Sequence, residues 1–454
     1  MEPRPRDSNS DVLSLTDSGT GRAIVVGPYR RADTRNDLHQ RLPAARLEEA
    51  VGLARAIELE VVNSGIAPLS STRPATYIGK GKVEEIAGLV KSLEAGLVVM
   101  DCALSPVQQR NLEKAWSAKV LDRTGLILEI FGRRAHTREG ALQVEHAHLT
   151  YQKSRLVRSW THLERQRGGF GFLGGPGETQ LEADRRMIEE RLARIETELE
   201  KVKKRRNLHR KSRARVPYPI AALVGYTNAG KSTLFNRLTQ ATVLEADMLF
   251  ATLDPTLRVV RLPNGLKVIV SDTVGFISDL PTMLVAAFRA TLEEVIEADV
   301  ILHVRDISHE DSEAQACDVT EVLRALDIAP EDPRLIEVWN KIDRLDTEGR
   351  AGLANVVARK PADRRPVLLS ALGGEGFDRL ASAIEERLSL SRVVFDLALD
   401  PADGAGVSWL YRNAEVMAKA MREDGRFVLK VRVDRAKADL VKAKFSEPVK
   451  PPLS

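Results

Sequence analysis

The sequence has few cysteines, no long apolar run and little excess of either charge. Its 454 residues include only two cysteines, Cys102 and Cys317, which lie far apart and outside any metal-ligand spacing. Neither a disulfide framework nor a zinc ribbon is therefore available, which favours a reducing cytosol. No stretch of about 18 apolar residues occurs, and no apolar core follows the basic residues of the N-terminus. We therefore expect a cytoplasmic protein that is neither secreted nor membrane-spanning.

The overall composition is that of an ordinary globular protein. Apolar residues make up 43% of the chain and charged residues 29%, and the net charge is +4. At roughly 150 residues per domain, this length predicts about three folding units. The net charge by itself indicates no partner, so any argument about partners depends on where the charges lie.

The N-terminal third alternates short β-branched runs with helical patterns. The predicted strands are AIVV, LEVVN, ATYIG, GLVVM and AKVLD, separated by stretches such as ARLEEAVGLARAIE. This alternation predicts a small α/β layer domain. The stretch GKGK at residues 79–82 lacks the full spacing of a phosphate loop, and we interpret it as a strand-to-helix turn.

Two heptad patterns separated by a glycine-rich stretch predict a helical hairpin. Apolar residues recur every seven positions across residues 142–163 and again across residues 181–202. The intervening segment RGGFGFLGGPGE has too many glycines to continue a helix. It also carries the apolar side chains of Phe170, Phe172 and Leu173. Exposed apolar residues at a tip favour contact with a partner, and a plain flexible loop is the alternative.

Basic residues cluster at the end of the second predicted helix. Residues 201–215, KVKKRRNLHRKSRAR, contain nine Lys and Arg residues and no acidic residue. Such a run can be a solvated helix face, but we favour RNA phosphates as the counter-charge. Five more basic residues occur on the facing helix: Lys153, Arg155, Arg158, Arg165 and Arg167.

The segment IAALVGYTNAGKST has the spacing of a phosphate-binding loop. An apolar strand is followed by Gly225, four residues, and then Gly230, Lys231 and Ser232 at the start of a helical pattern. Glycines let the backbone wrap around phosphates, with N–H groups directed at the negative charge. We expect Lys231 to reach the β- and γ-phosphates and Ser232 to ligate Mg²⁺. The nucleotide-binding residues predicted here are Gly225, Tyr226, Thr227, Asn228, Ala229, Gly230, Lys231, Ser232 and Thr233.

Two segments downstream predict loops that respond to the γ-phosphate. The strand LKVIVSDT ends near Asp272, which can hold Mg²⁺ through water, and Gly275 can offer a backbone N–H to the phosphate. Within LFATLDPT, Thr252 is expected to join Mg²⁺; Thr256 and an ordinary turn residue are the alternatives. We assign catalysis to Lys231, Gly275 and Thr252, and metal binding to Ser232, Thr252 and Asp272. The other binding residues predicted in these segments are Phe250, Ala251, Leu253, Thr273 and Val274.

A third segment predicts the choice of base. The strand LIEVW is followed by Asn340, Lys341, Ile342 and Asp343. Guanine presents a ring N–H and an exocyclic NH₂ that one carboxylate can bind together. Adenine does not, so a buried Asp343 would be left unpaired at a cost of roughly 1 to 3 kcal/mol. The site should therefore prefer GTP. We expect Lys341 to lay its stem on the base and bridge to the phosphate loop. A backbone N–H for the guanine oxygen is expected from Ser370, Ala371 and Leu372.

The predicted site lacks one usual catalytic group. Many GTPases place a Gln directly after the Asp-x-x-Gly motif to orient the attacking water, and Phe276 stands there instead. An apolar side chain cannot polarise water, so we expect slow turnover that a partner accelerates. Asn228 either helps to hold K⁺ or is simply a turn residue. Arg289 receives no role.

These motifs resemble those of the HflX family of GTPases. The resemblance rests on GYTNAGKST, FATLDPT, DTVGF and NKID, preceded by LDRTGLILEIF, GALQVEHAHL and GPGETQLEADRR. It implies a GTPase that engages the large ribosomal subunit, inserts its hairpin tip near the peptidyl transferase centre and splits stalled ribosomes. It also implies that the ribosome stimulates hydrolysis. Some family members are described as hydrolysing ATP through the N-terminal region, for which GKGK offers no complete site.

The predicted fold class is α/β. A doubly wound P-loop GTPase sheet is preceded by a small α/β domain with a long helical hairpin and followed by a small α+β domain. The predicted segments are a tail at 1–20, the N-terminal domain at 21–133, the hairpin at 134–215, the GTPase domain at 216–391, the C-terminal domain at 392–436 and a tail at 437–454. We expect a monomer that binds the large ribosomal subunit and its rRNA. The alternatives are a GTPase of ribosome assembly or RNA modification, and a GTP-switched binding module whose turnover is incidental.

Overall fold

The β-branched runs of the N-terminal part form a parallel sheet in the structure, a computed structural model of the chain. The structure describes residues 21–30, 41–166, 176–213, 218–240, 250, 256–278, 292–390, 392–422 and 425–445. Two compact units are present. The first holds the described residues up to Glu196 together with Phe250, and the second holds the other described residues from Thr197 onward. Among the helices described, none is long and apolar enough to cross a bilayer.

The first unit contains a four-stranded sheet in the order β2-β1-β3-β4, with every neighbouring pair parallel. Parallel strands need crossover connections, which are helices here. These helices and the sheet enclose an apolar core of mainly aliphatic side chains. The strands are β1 (Arg22–Gly27), β2 (Glu60–Ile66), β3 (Leu97–Met100) and β4 (Lys119–Asp122). The helices are α1 (Pro43–Arg55), α2 (Lys80–Leu93), α3 (Pro106–Trp116) and α4 (Arg123–Arg134).

The strand predicted at ATYIG was wrong. Tyr77 has a φ of 64°, in the left-handed region, and its backbone pairs with Arg73 in an isolated bridge. The Thr76 hydroxyl donates to the Ile78 carbonyl at 2.8 Å, which closes the turn locally. Because this segment turns back on itself, GKGK begins α2 after a turn rather than after a strand.

Two long helices follow, α5 (Arg138–Gln166) and α6 (Pro176–Arg213), and α6 continues into the second unit. The heptad leucines of α5 are only partly buried where the structure describes them, whereas Val144 and Ala147 are fully buried. The reason is that α5 also packs against α3 and α4, which selects a different face. On α6, Leu192 and Ile195 are buried, as the pattern predicts.

Two of the basic side chains predicted to face RNA are engaged elsewhere. Arg155 pairs with the buried Asp122 at 2.5 Å, and Lys153 pairs with Glu189 at 3.1 Å. At the end of α6, Lys203 lies 4.0 Å from Glu293, while Lys201 and Lys204 are exposed. The side chains of residues 205–215, and the glycine-rich tip with Phe170 to Leu173, lie outside the described residues.

The second unit contains a six-stranded sheet in the order β10-β9-β8-β5-β7-β6, parallel except that β6 runs antiparallel to β7. Helices on both faces bury the aliphatic strands, which is the doubly wound arrangement predicted. The strands are β5 (Ile220–Gly225), β6 (Thr256–Arg261), β7 (Lys267–Asp272), β8 (Val300–Asp306), β9 (Leu335–Asn340) and β10 (Val367–Leu368). The helices are α7 (Lys231–Thr239), α8 (Ser312–Ala325), α9 (Thr347–Arg359) and α10 (Phe377–Leu390).

The C-terminal segment forms a small α+β layer with its own core. Its sheet has the antiparallel order β11-β13-β12. The sequence predicted a strand, a helix and a strand, and the structure adds a further strand and a closing helix. The elements are β11 (Arg392–Leu399), α11 (Gly404–Asn413), β12 (Glu415–Met421), β13 (Phe427–Asp434) and α12 (Arg435–Lys444).

Candidate nucleotide site

The phosphate loop connects the C-terminal end of β5 to the first turn of α7. Gly225 has a φ of 152°, and a Cβ added there would lie 2.2 Å from the Val304 carbonyl oxygen on the neighbouring strand. Gly230 has a φ of 91°, and a Cβ there would lie 2.3 Å from Asn340 Nδ2. Both positions therefore exclude side chains, because the loop backbone passes so close to its neighbours. The result is the strand, loop and helix arrangement that the spacing predicted.

Lys231 is buried at the start of α7, and its amine lies against the loop backbone. Nζ donates to the Gly225 carbonyl at 3.0 Å and to the Tyr226 carbonyl at 2.7 Å. An ammonium group has three donors, so one donor remains for a phosphate oxygen. Burial lowers the pKa of the Lys231 amine to about 8; Asp272 opposes this shift, and the Lys341 charge adds to it. An anion at this loop would restore the charged form.

Ser232 and Asp272 meet where the loop faces the end of β7. The Ser232 hydroxyl donates to Asp272 Oδ2 at 2.8 Å, and Asp272 is fully buried. A hydroxyl and a carboxylate placed together are hard oxygen donors, the ligand type that Mg²⁺ prefers. These two residues therefore fit the predicted magnesium site. Thr252, the third predicted ligand, lies outside the described residues, as do Ala251 and Leu253.

The Asp-x-x-Gly segment after β7 pairs directly with the phosphate loop. We call the described residues Asp272–Ser278 the second switch. Tyr226 and Phe276 form an isolated parallel bridge, in which the Phe276 N–H donates to the Gly225 carbonyl at 3.1 Å. The Thr227 N–H donates to the Phe276 carbonyl at 2.7 Å. The Tyr226 hydroxyl accepts the Ser278 N–H at 2.8 Å. Phosphate loop and second switch are thus joined through backbone and side chain.

Asn340 links the phosphate loop to the loop that follows β10. It is 1% exposed; its Nδ2 donates to the Ala229 carbonyl at 2.8 Å, and its Oδ1 accepts the Ala371 N–H at 2.9 Å. The carboxyl ends of β5, β9 and β10 meet at one edge of the sheet, which brings these residues together. Since Ala371 donates to Asn340, its N–H is not directed at a base in this arrangement.

Asp343 departs from the sequence-based expectation in its burial. The residue is exposed, and one carboxylate oxygen accepts the Ser370 hydroxyl at 2.5 Å. The free-energy cost of leaving the Asp343 carboxylate unpaired therefore applies only when a bound base covers it. Ser370, Ala371 and Leu372 belong to the loop that follows β10, which we call the recognition loop. Leu372 is also exposed. The structure thus brings Asp343 and Ser370, two of the residues predicted to recognise the base, into direct contact.

Lys341 has a partner that the sequence reasoning missed. Its Nζ lies 2.8 Å from Asp306 Oδ2, and its backbone is left-handed with a φ of 66°. Asp306 ends β8 and also accepts the Ser308 hydroxyl at 2.6 Å. The sequence did contain a signal for this pair, because Asp306 lies at the end of a buried strand. The carboxyl ends of parallel strands share one edge of the sheet, where ligands bind.

Two residues of the predicted segment LFATLDPT, Phe250 and Thr256, fall among the described residues. Phe250 packs its ring edge-to-face on Phe131 at a centroid distance of 4.8 Å, so the structure gives it an apolar contact. Thr256, the alternative to Thr252, begins β6 and is paired with Asp272 in the sheet register. Arg289 lies outside the described residues.

Four family models match the chain in sequence. They are described as "GTP-binding GTPase N-terminal" at residues 44–132, "GTP-binding GTPase Middle Region" at 134–213, "50S ribosome-binding GTPase" at 220–341 and "HflX C-terminal domain" at 355–452. Together they follow the order of the predicted domains along the chain.

Similar proteins agree with these matches. The chain is 48% identical to the GTPase HflX of Magnetococcus marinus over 409 residues, covering 90% of this chain and 92% of the relative. It is 46% identical to the GTPase HflX of Escherichia coli over 390 residues, covering 85% and 89%. A crystal structure of a GTP-binding protein from Sulfolobus solfataricus in complex with GDP is 22% identical, with a TM-score of 0.43, and covers 81% of this chain and 99% of that one. On these sequence matches, the chain belongs to the HflX family of GTPases and is a GTP hydrolase.

Proposed function

We propose that the protein binds the large ribosomal subunit and uses GTP to drive the splitting or rescue of ribosomes under stress. The observation that carries the nucleotide part is the buried Asn340 side chain, which bonds the phosphate loop and the recognition loop at once. A single side chain that joins both loops supports a site that recognises phosphate and base together. In this site Lys231 meets the β- and γ-phosphates and Asp343 selects guanine.

Ser232, Asp272 and Thr252 would hold the magnesium ion of the proposed site. Bound there, it would neutralise charge that develops on the phosphates during hydrolysis. Gly275 offers its backbone N–H to the γ-phosphate. A Cβ at this position would lie 3.1 Å from Lys231 Nζ and 2.9 Å from Thr227 Cγ2, so only glycine allows the second switch to approach this closely. Thr252 is proposed from sequence alone.

The ribosomal part of the proposal rests on similarity and on charge. The family model that covers the phosphate loop is described as a 50S ribosome-binding GTPase. The exposed Lys201 and Lys204 begin the basic end of α6, which suits RNA phosphates. We propose that the hairpin at 134–215 carries the RNA contacts, that the GTPase domain at 216–391 powers them, and that the protein acts as a cytoplasmic monomer.

K⁺ is proposed as an additional cofactor. Asn228 is exposed at the turn of the phosphate loop, with a left-handed φ of 58°. Its side-chain carbonyl is therefore available to a cation beside the phosphates, and a bound cation there would stabilise transition-state charge that no Gln addresses. Asn is also common at left-handed turn positions, so GTP turnover in K⁺ and in Na⁺ must be compared. Equal rates in both salts would remove K⁺ from the proposal.

The direct test is GTP turnover with and without purified large subunits, together with sedimentation of intact ribosomes. We expect the subunits to raise turnover and the protein with GTP to release free subunits, while Lys231→Ala should do neither. Stimulation only by precursor particles or tRNA would indicate assembly or RNA modification instead. Stimulation that survives removal of RNA would indicate a GTP-switched module for a protein partner.

A separate test of the RNA contact compares two variants that lose the same amount of positive charge. Replacing lysines at the end of α6 with Gln should weaken binding to large subunits and flatten its salt dependence, because fewer counterions are released. Intrinsic GTP turnover should stay the same. The variant carries Lys201→Gln, Lys203→Gln and Lys204→Gln, and the control carries Lys91→Gln, Lys114→Gln and Lys442→Gln. Equal weakening by both variants would contradict a specific RNA contact at α6.

A further inference from the structure

The second switch reaches the phosphate loop at Thr227. Its N–H donates to the Phe276 carbonyl, and its Cα would lie 3.0 Å from a Cβ at Gly275. That same position at Gly275 is 3.1 Å from Lys231 Nζ. Thr227 is therefore bonded to the backbone of the second switch and lies beside Gly275, whose other close neighbour is the Lys231 amine.

Phe276 cannot perform the task of the glutamine that it replaces. Its side chain is 1% exposed and lies in the protein interior. An apolar ring so deeply buried neither donates nor accepts a hydrogen bond to a water molecule at the phosphate. A group other than the Phe276 side chain is therefore needed to orient the attacking water.

The Thr227 side chain has an unusual combination of burial and free hydrogen-bonding capacity. The residue is 6% exposed, and among the described residues no protein group bonds its buried Oγ1. The neighbouring buried Thr273 behaves differently, because its hydroxyl donates to the Leu223 carbonyl at 2.5 Å. Buried hydroxyls are nearly always paired, so one without a protein partner, placed beside a reaction site, requires an explanation.

We infer that the Thr227 hydroxyl orients the water that attacks GTP, in place of the missing glutamine. The inference rests on the proposed nucleotide site and adds a residue to it. In the reaction, the water oxygen bonds the γ-phosphorus and the bond from that phosphorus to the β,γ-bridging oxygen breaks. The protons of the water end on the released phosphate, and the hydroxyl keeps its own proton. Thr227 thus positions the water through a hydrogen bond and does not act as a general base.

The hydrolysis rate after substitution distinguishes a hydroxyl that orients water from one that has no role in the reaction. Thr227→Val keeps the branched shape and removes a buried polar atom that has no protein partner. If the hydroxyl has no role in the reaction, this change should raise or preserve thermal stability and leave the rate intact. If it orients water, stability should hold while kcat falls.

The experiment uses the full chain and compares Thr227→Val with Thr227→Ser. Single-turnover GTP hydrolysis, the Kd values for GTP and GDP, and Tm are measured for both. We expect Thr227→Val to lower kcat on the order of tenfold or more. This decrease is smaller than the decrease that follows removal of a hydrogen-bond donor to a transition-state oxyanion. The Kd values of Thr227→Val should stay within about twofold, and Ser should recover most of the rate because it keeps the hydroxyl.

Three outcomes would overturn the inference. Val could hydrolyse GTP as fast as the unmodified protein, Ser could lose as much rate as Val, or Val could lose nucleotide affinity in proportion to rate. A different result identifies failure of the site itself: if Lys231→Ala leaves GTP binding and hydrolysis unchanged, the proposed site is wrong and the inference falls with it.

Discussion

Asn340→Ala should separate the phosphate loop from the recognition loop. The substitution removes two buried hydrogen bonds, to the Ala229 carbonyl at 2.8 Å and from the Ala371 N–H at 2.9 Å. Both backbone groups belong to buried residues, so each is left without its partner in a place that water does not readily reach. At about 1 to 3 kcal/mol for each of the two groups left unsatisfied, the loss of unfolding free energy should be roughly 2 to 6 kcal/mol.

The assay is urea unfolding followed by tryptophan fluorescence, since Trp339 is buried immediately before Asn340. A matched control is Asn413→Ala, because that side chain makes one bond, to the Trp409 carbonyl at 2.9 Å, in a partly buried position. The control should lose about 1 kcal/mol or less. Affinity for GDP should fall more than about tenfold in Asn340→Ala alone. Equal losses in both variants, or unchanged GDP affinity, would refute the link between the loops.

Three further predictions follow from buried charges. Nucleotide affinity should fall as pH rises through about 8. The reason is that burial lowers the Lys231 pKa to about 8, and the neutral amine no longer attracts phosphate. Calorimetry between pH 7 and 9 measures this change in affinity. Burial lowers the His303 pKa to about 4, with Arg305 adding to the shift, so the unfolded chain binds the proton more tightly. Stability should therefore drop as pH falls from 6.5 towards 4, by about 3 kcal/mol from this group, and pH-dependent unfolding of His303→Phe should lack that part. Arg155→Ala leaves the buried Asp122 without its cation and should cost about 3 kcal/mol in urea unfolding. By contrast, Lys153→Ala breaks an exposed pair and should cost less than about 1 kcal/mol.

The sequence predicted the elements whose signals are local. Spacing alone identified the phosphate loop, because Gly225 and Gly230 occupy positions where backbone and Asn340 leave no room for a side chain. The strands of the first sheet, and β5, β7 and β9 of the second, were predicted from short apolar runs that are typical of buried strands, whereas β6 and β8 were not predicted. The segment ATYIG misled because β-branched and aromatic residues also occur in a closed turn.

Contacts between distant segments could not be predicted in the same way. The link from Asn340 to Ala229 joins residues 111 positions apart, and the pairing of Lys341 with Asp306 depends on how β8 and β9 are ordered. The heptad pattern of α5 could not reveal that the helix packs against α3 and α4, where Arg155 pairs with Asp122. Likewise, the sequence could not show that none of the described protein groups bonds the Thr227 hydroxyl where the second switch meets the phosphate loop.

The most direct test of the central claim is calorimetric titration of the pure protein with GDP and with ADP in the presence of magnesium. The recognition loops predict that GDP binds at least about tenfold more tightly, because the Asp343 carboxylate pairs with two guanine N–H groups that adenine lacks. Asp343→Asn should remove that preference, since an amide cannot accept both hydrogens. Equal affinity of the unmodified protein for GDP and ADP would contradict the account.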